Sequence, residues 1–256
     1  MDSNNIYVVP DVHGRSFWHD VEKLEGYEKI VFLGDYVDPY PDEGVKQEEG
    51  MKCLMEVIDF AKSHDNVILL LGNHDATYML GPSICECRTD YVYFEEIRDL
   101  FRKNADMFDL AYCAETENGP VLFTHAGLFK DWLEDEEVGI DAGQSPDWIA
   151  DGLNQIFHDL AYRVSIGENV RDDGFFNKLG AVSFYRGGWG AHGSCVWSDI
   201  REHYTDEDSL DSAFQVVGHT RLERIGSLIK FGNIACIDSK QIWRLKDVFD
   251  ADSTMP

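Results

Sequence analysis

Basic residues are scarce in this chain: 22 Lys and Arg stand against 48 Asp and Glu in 256 residues, a formal net charge of −26. So acidic a chain lacks the basic face that releases counterions from a polyanion, which excludes a nucleic-acid polymer as an expected partner. Long apolar runs are lacking too. No stretch approaches the roughly 20 consecutive apolar residues that span a bilayer, and the opening MDSNNIYVVP has neither the charged nor the apolar region of a leader. A soluble, cytoplasmic protein without a membrane partner is therefore expected. Cysteine is sparse: of six, only Cys85 and Cys87 are close neighbours. One intervening residue is shorter than the usual spacing of a zinc pair, and no second pair completes a site. Reduced, structural thiols are expected rather than a disulfide framework. Internal repeats and low-complexity linkers are also absent.

The 44% hydrophobic content over this length suffices for one large domain with a buried core. Residues 6–10 read as a β-branched, aromatic strand, followed by a helical stretch at 16–24. Residues 30–33 and 66–71 read as further buried strands. Between them Met51, Leu54, Met55, Ile58 and Ala61 recur at helical spacing within 46–63. Three strand-to-helix units in succession indicate an α/β sheet, whose ligands gather at the carboxyl ends of the strands. A helical excursion at about 81–117, with its helix at 94–103, returns through a strand near 110–114. Another strand is expected at 121–123, and Ser145-Pro146 opens a helix through 160. Tyr185-Arg186-Gly187-Gly188-Trp189-Gly190 is a glycine-rich loop, and strands follow at 214–217, 227–231, 234–237 and 241–245. The domain is placed at 1–245, with 246–256 a polar, frayed tail.

Five strand ends carry polar clusters: Asp11-Val12-His13, Gly34-Asp35 with Asp38 three residues on, Gly72-Asn73-His74-Asp75, His125-Ala126-Gly127 and Gly218-His219-Thr220. Each alone reads as a turn or a capped histidine. Together they supply carboxylate, imidazole and amide oxygens, a donor set suited to a pair of ions such as manganese, iron or zinc.

This ordered series resembles the calcineurin-like metallophosphoesterases, in particular the branch of Ser/Thr protein phosphatases and diadenosine tetraphosphatases. The resemblance runs from Asp11 to His219. It implies a two-sheet mixed β-sandwich flanked by helices, in the α/β class. It implies two divalent ions, manganese first and iron or zinc as alternatives. Asp11 and His13 would bind the first ion, Asp35 would bridge, and Asn73, His125 and His219 would complete the second. His74 would protonate the leaving oxygen, oriented by Asp38, while a metal-bound water attacks phosphorus in line. Where the protein phosphatases follow Gly-Asp-x-x-Asp with arginine, this chain has Pro39-Tyr40. Arg201, in a segment similar to a Trp-x-x-Arg pattern from Trp197, is the first substitute for that phosphate-binding arginine, and Arg186 in the glycine-rich loop the second. Arg221 stands where many phosphodiesterases of the superfamily carry a further histidine, which favours the phosphatase-like branch.

The expected activity is a phosphatase or pyrophosphohydrolase acting on a phosphorylated substrate, either a phosphoprotein or a dinucleoside polyphosphate. Tyr36, Tyr40, Tyr78, Tyr185 and Trp189 are available to stack on a base, or to serve as core and rim. The alternative is a non-catalytic scaffold with the same fold that binds proteins. That reading is disfavoured because His74 and every matched ligand position are present. The sequence leaves the oligomeric state open.

Overall fold

The computed structural model describes residues 1–84, 87–205 and 208–254. Cys85 lies outside them, so the Cys85–Cys87 spacing has no structural counterpart here. Cys53, Cys113, Cys195 and Cys236 are free thiols.

Among the described residues ten strands occur: β1 (Ile6–Val9), β2 (Lys29–Phe32), β3 (Val67–Leu70), β4 (Phe108–Asp109), β5 (Ala111–Thr116), β6 (Gly119–Thr124), β7 (Phe214–Val217), β8 (Ile229–Phe231), β9 (Ile234–Cys236) and β10 (Trp243–Arg244). They form two five-stranded sheets, ordered β10-β1-β2-β3-β4 and β5-β6-β7-β9-β8. In the first, β1 to β4 are parallel and β10 is antiparallel to β1. In the second, β6, β7 and β9 are parallel, with β5 and β8 antiparallel at the edges.

The period-two alternation of strand side chains sorts the two faces of each sheet. Ile6, Val8, Val31, Leu33 and Leu70 of the first sheet meet Ala114, Val121, Phe123, Val216 and Ala235 of the second in one buried cluster, the layer between the sheets. Their neighbours Val9, Ile30, Phe32 and Leu69 turn to a larger cluster built with the helices. Strands buried on both faces carry apolar residues at every position, which is why they read as continuous runs rather than alternating ones.

The helices are α1 (Gln47–Lys62), α2 (Asn73–Leu80), α3 (Phe94–Lys103), α4 (Lys130–Glu134), α5 (Pro146–Ser165), α6 (Gly174–Leu179), α7 (Ile200–Thr205) and α8 (Leu245–Asp250). Glu49 caps α1 by accepting the Lys46 N–H at 2.7 Å, and the helix buries Leu54, Val57 and Ile58. α5 opens with Pro146 in its first turn and lays Leu153, Phe157 and Leu160 into the large cluster. All eight residues of α2 are buried. That short helix carries Asn73, His74 and Asp75, and its burial holds them in place.

Two expectations are corrected. The helical stretch at 16–24 is a 3-10 helix, Phe17–Lys23, which buries Trp18 and Val21. The segment from Lys246 to Asp250 is not frayed. It continues α8, whose Leu245 and Val248 are fully buried in the inter-sheet layer. Burying two such side chains stabilises the docked helix by about 1.5–3 kcal/mol each, more than the fraying entropy of a short polar segment. The composition of the tail hid this because its two apolar anchors sit among charged residues.

Candidate active site

The site forms where the carboxyl ends of β1, β2, β3, β6 and β7 converge. Asp11 and His13 follow β1, Asp35 and Asp38 follow β2, Asn73 and His74 begin α2 after β3, His125 follows β6, and His219 follows β7. All eight side chains are buried. Of five non-glycine residues with positive φ among the described residues, four are His13 (46°), Asp35 (53°), Asp38 (59°) and His219 (63°). Each such left-handed residue costs on the order of 1 kcal/mol or more, and the packing of the surrounding strands holds it there.

Two glycines make the crowding possible. A Cβ on Gly72 would lie 2.1 Å from Asp35 Oδ1, and one on Gly218 would lie 2.2 Å from Asp11 Oδ1. Glycine before the ligand residue is therefore a steric requirement of the carboxylate on the neighbouring strand. Backbone N–H groups fix those same carboxylates: His219 N donates to Asp11 Oδ1 and His74 N to Asp35 Oδ1, both at 3.0 Å.

The donor atoms converge with their lone pairs facing one another. His13 Nδ1 lies 2.8 Å from the Val37 carbonyl, and His125 Nδ1 lies 2.8 Å from that of Leu33. A carbonyl can only accept, so each Nδ1 carries the proton and each Nε2 presents a bare lone pair. His125 Nε2 then faces Asn73 Oδ1 at 3.2 Å, His219 Nδ1 at 3.1 Å and Asp35 Oδ2 at 3.5 Å. His13 Nε2 is buried without a hydrogen-bond partner, 3.5 Å from Asp35 Oδ2 and 3.9 Å from Asp11 Oδ2. Acceptors facing acceptors in a buried space repel unless a cation sits among them, and carbonyl-anchored imidazoles are the usual outer-shell arrangement of metal-ligating histidines. The residues present therefore fit divalent metal ions. Asp35 belongs to both clusters, with His125 and His219 on one side and His13 and His74 on the other.

Electrostatics separates the histidines. Burial lowers the pKa of His13 to about 3, and burial together with the Arg186 charge lowers that of His219 well below its ordinary range. Both imidazoles are neutral, as ligands must be. Burial also opposes charge on His74, yet the Asp35 charge and the hydrogen bond to Asp38 outweigh it and hold His74 well above the usual range. His74 Nδ1 lies 2.7 Å from Asp38 Oδ2. Asp38 is itself fixed through Oδ1, which accepts from Tyr78 OH at 2.5 Å and from Asp90 N at 3.0 Å.

The two arginines expected at the phosphate both pair with Asp199. Arg201, half exposed, forks onto Asp199 with Nε to Oδ1 at 2.7 Å and Nη2 to Oδ2 at 3.0 Å. Arg186 Nε lies 2.8 Å from Asp199 Oδ2, the oxygen that also accepts from Arg201 Nη2, while its own Nη2 donates to Thr220 Oγ1 at 2.8 Å and to the His219 carbonyl at 3.3 Å. Arg186 thus abuts the site and also lines a cavity of about 660 Å³ with Trp197 and the glycine-rich loop. Of the five aromatics weighed for stacking, Tyr36 and Tyr78 are core residues, Tyr40 meets His13 edge-on at 4.8 Å, and Trp189 is wholly exposed.

Sequence reasoning missed three further participants. Asp75 accepts the backbone N–H groups of Asp35 at 2.6 Å, Gly72 at 2.9 Å and Tyr36 at 3.0 Å, so one carboxylate ties the β2 and β3 loops together. Tyr78, one helical turn beyond His74, holds Asp38. Asp238 follows β9 and is buried with neither carboxylate oxygen hydrogen-bonded; burial and the Asp11 charge push its pKa well above the ordinary range. The available signal for Asp238 was the one used elsewhere, an acid at the carboxyl end of a buried strand.

No curated protein matches the chain. Among solved structures, a protein serine/threonine phosphatase from Saccharomyces cerevisiae with similarity to human phosphatase PP5 aligns at 16% identity and a TM-score of 0.43. The alignment covers 91% of this chain and 66% of that one, so this chain spans just under two thirds of its length. The family model for calcineurin-like phosphoesterases matches residues 5–211, which include Asp11, His13, Asp35, Asn73 and His125, and ends eight residues before His219. With most of its length matched, the chain belongs to the calcineurin-like phosphoesterase family.

Proposed function

We propose that this chain hydrolyses phosphate monoesters or phosphoanhydrides at a dinuclear centre, with His74 as general acid. The observation that carries the reading is the opposed set of bare donor atoms around Asp35, next to an imidazole hydrogen-bonded to a fixed carboxylate. Asp11 and His13 would hold one ion, Asn73, His125 and His219 the other, and Asp35 both. Manganese is the favoured metal because three imidazoles favour a borderline ion over magnesium. When bound, such a pair supplies positive charge to the phosphoryl oxygens and a water of lowered pKa.

The chain's own residues do the rest. The carbonyls of Val37 and Leu33 fix the tautomers of His13 and His125, so the ligating nitrogens need no proton loss. Asp38 keeps Nδ1 of His74 protonated and leaves Nε2 to give a proton to the departing oxygen. Tyr78 and Asp90 hold Asp38 against rotation, so the proton donor is oriented before substrate arrives.

Substrates are a phosphoprotein or a dinucleoside polyphosphate. A panel of a phosphopeptide, para-nitrophenyl phosphate and diadenosine tetraphosphate, with manganese present, tests this. Turnover of one or more supports the reading and ranks the substrates; no turnover of any by metal-loaded protein would leave the scaffold alternative.

A further inference from the structure

Five arginines surround the site, and four are neutralised. Arg186 and Arg201 share Asp199. Arg15 forks onto Glu43, and Arg221 pairs with Asp42 and Glu43. Arg88, on the loop between α2 and α3, is different. Among the described residues it has no carboxylate partner within ion-pair distance, although the chain carries 48 acids to 22 cations. Its Nη2 donates to the backbone carbonyl of Asp38, its Nε is buried without a partner, and its guanidinium stacks on the Tyr40 ring, 4.1 Å from the centroid. Tyr40 in turn meets the His13 ring, and the Asp38 side chain holds His74.

We propose that Arg88 is the residue that binds the phosphoryl oxygens of the substrate on the His74 side of the site. A guanidinium offers five N–H donors, and only one is used by the protein. Stacking on Tyr40 fixes its plane, which is the pre-organisation a bidentate contact to phosphate needs. The uncompensated charge is one contact removed from both His13 and His74, since Tyr40, on which it stacks, meets His13, and Asp38, whose carbonyl it bonds, holds His74. Arg201 and Arg186, by contrast, are already charge-paired with Asp199.

This assignment rests on the phosphoesterase reading above, and the test separates the two. Inorganic phosphate is titrated calorimetrically into manganese-loaded wild type and the Arg88→Ala, Arg88→Lys, Arg186→Ala and Arg201→Ala variants, with bound metal assayed and turnover measured on alkyl and nitrophenyl phosphates. Arg88→Ala is expected to weaken phosphate binding about 10- to 100-fold with metal content unchanged, and Arg88→Lys to restore only part of it. A purely structural role, through the Asp38 carbonyl, would instead leave phosphate affinity intact and reproduce the leaving-group selectivity of an Asp38 variant. That result, or phosphate affinity within twofold of wild type, or a large loss confined to Arg186→Ala or Arg201→Ala, overturns the assignment. If the wild type binds phosphate through Arg88 but turns over no ester, the catalytic reading fails and the anion site stands.

Discussion

Replacing Asp38 by Asn removes one charge from the site and one acceptor from a triangle of donors. In the wild type, Asp38 Oδ2 takes the His74 Nδ1–H at 2.7 Å, while Oδ1 takes Tyr78 OH and Asp90 N. Asparagine has one carbonyl oxygen. If it satisfies Tyr78 and Asp90, its NH2 group faces His74 and forces the imidazole into the tautomer with Nδ1 bare. If it satisfies His74, two buried donors lose their partner. Either way the charge-assisted bond that favours imidazolium is gone, a loss of about 1.5–3 kcal/mol, or roughly 10- to 160-fold in kcat. A general-acid role adds a signature that misfolding does not. A nitrophenolate leaves without a proton, whereas an alkoxide needs one, so the loss should be large on an alkyl phosphate and small on para-nitrophenyl phosphate. The pH dependence has a defined sign: the wild-type pKa of His74 is raised, so activity that needs the protonated ring extends to higher pH, and its alkaline limb should move acidward in Asp38→Asn. Steady-state kinetics on both substrates, with metal content measured, is the assay. Equal losses on the two substrates, or an unmoved alkaline limb, would refute the role given to the pair.

Asp35→Asn should lower both metal content and rate, whereas His74→Asn should lower the rate by 100-fold or more, about 10²–10⁴ for a general acid, with metal retained; elemental analysis of the two purified variants checks this. Gly72→Ala would push a methyl to within 2.1 Å of Asp35 Oδ1, so metal affinity should fall and stability drop by about 1–3 kcal/mol in denaturant titration. Burial raises the pKa of Glu43, but hydrogen bonds from Arg15 and Lys240 outweigh it and bring it to about 2. Its folded pKa is therefore below its unfolded one, so its contribution is present above pH 4.5 and lost as pH falls toward 2. Glu43→Gln should accordingly cost about 1–2 kcal/mol at neutral pH, a difference that chemical denaturation finds shrinking through that window.

The five strand-end motifs were legible because each lies where a buried apolar run stops, and the ordering of acids, amide and imidazoles along the chain carries the donor set. The second sheet was not legible as such: strands such as 30–33 bury both faces, so nothing in their pattern says what covers each one. The pairing of the arginines around the site was not legible either. Spacing pointed to Arg201 and Arg186, and only the fold reveals that Asp199 occupies both while Arg88, 50 residues from Asp38 in the chain, reaches its carbonyl. Asp75 and Tyr78 belong to the same class. Their partners lie about 40 residues away, on another strand end, and are brought together by the parallel pairing of β2 with β3.

On the proposed reading the converging donors would hold two metal ions with Asp35 between them. Anomalous diffraction from crystals of the manganese-loaded protein tests it most directly. Two peaks about 3.5–4 Å apart, flanking the Asp35 carboxylate, are predicted, one against Asp11 and His13 and the other against Asn73, His125 and His219. A single peak, or peaks away from these residues, would contradict the account.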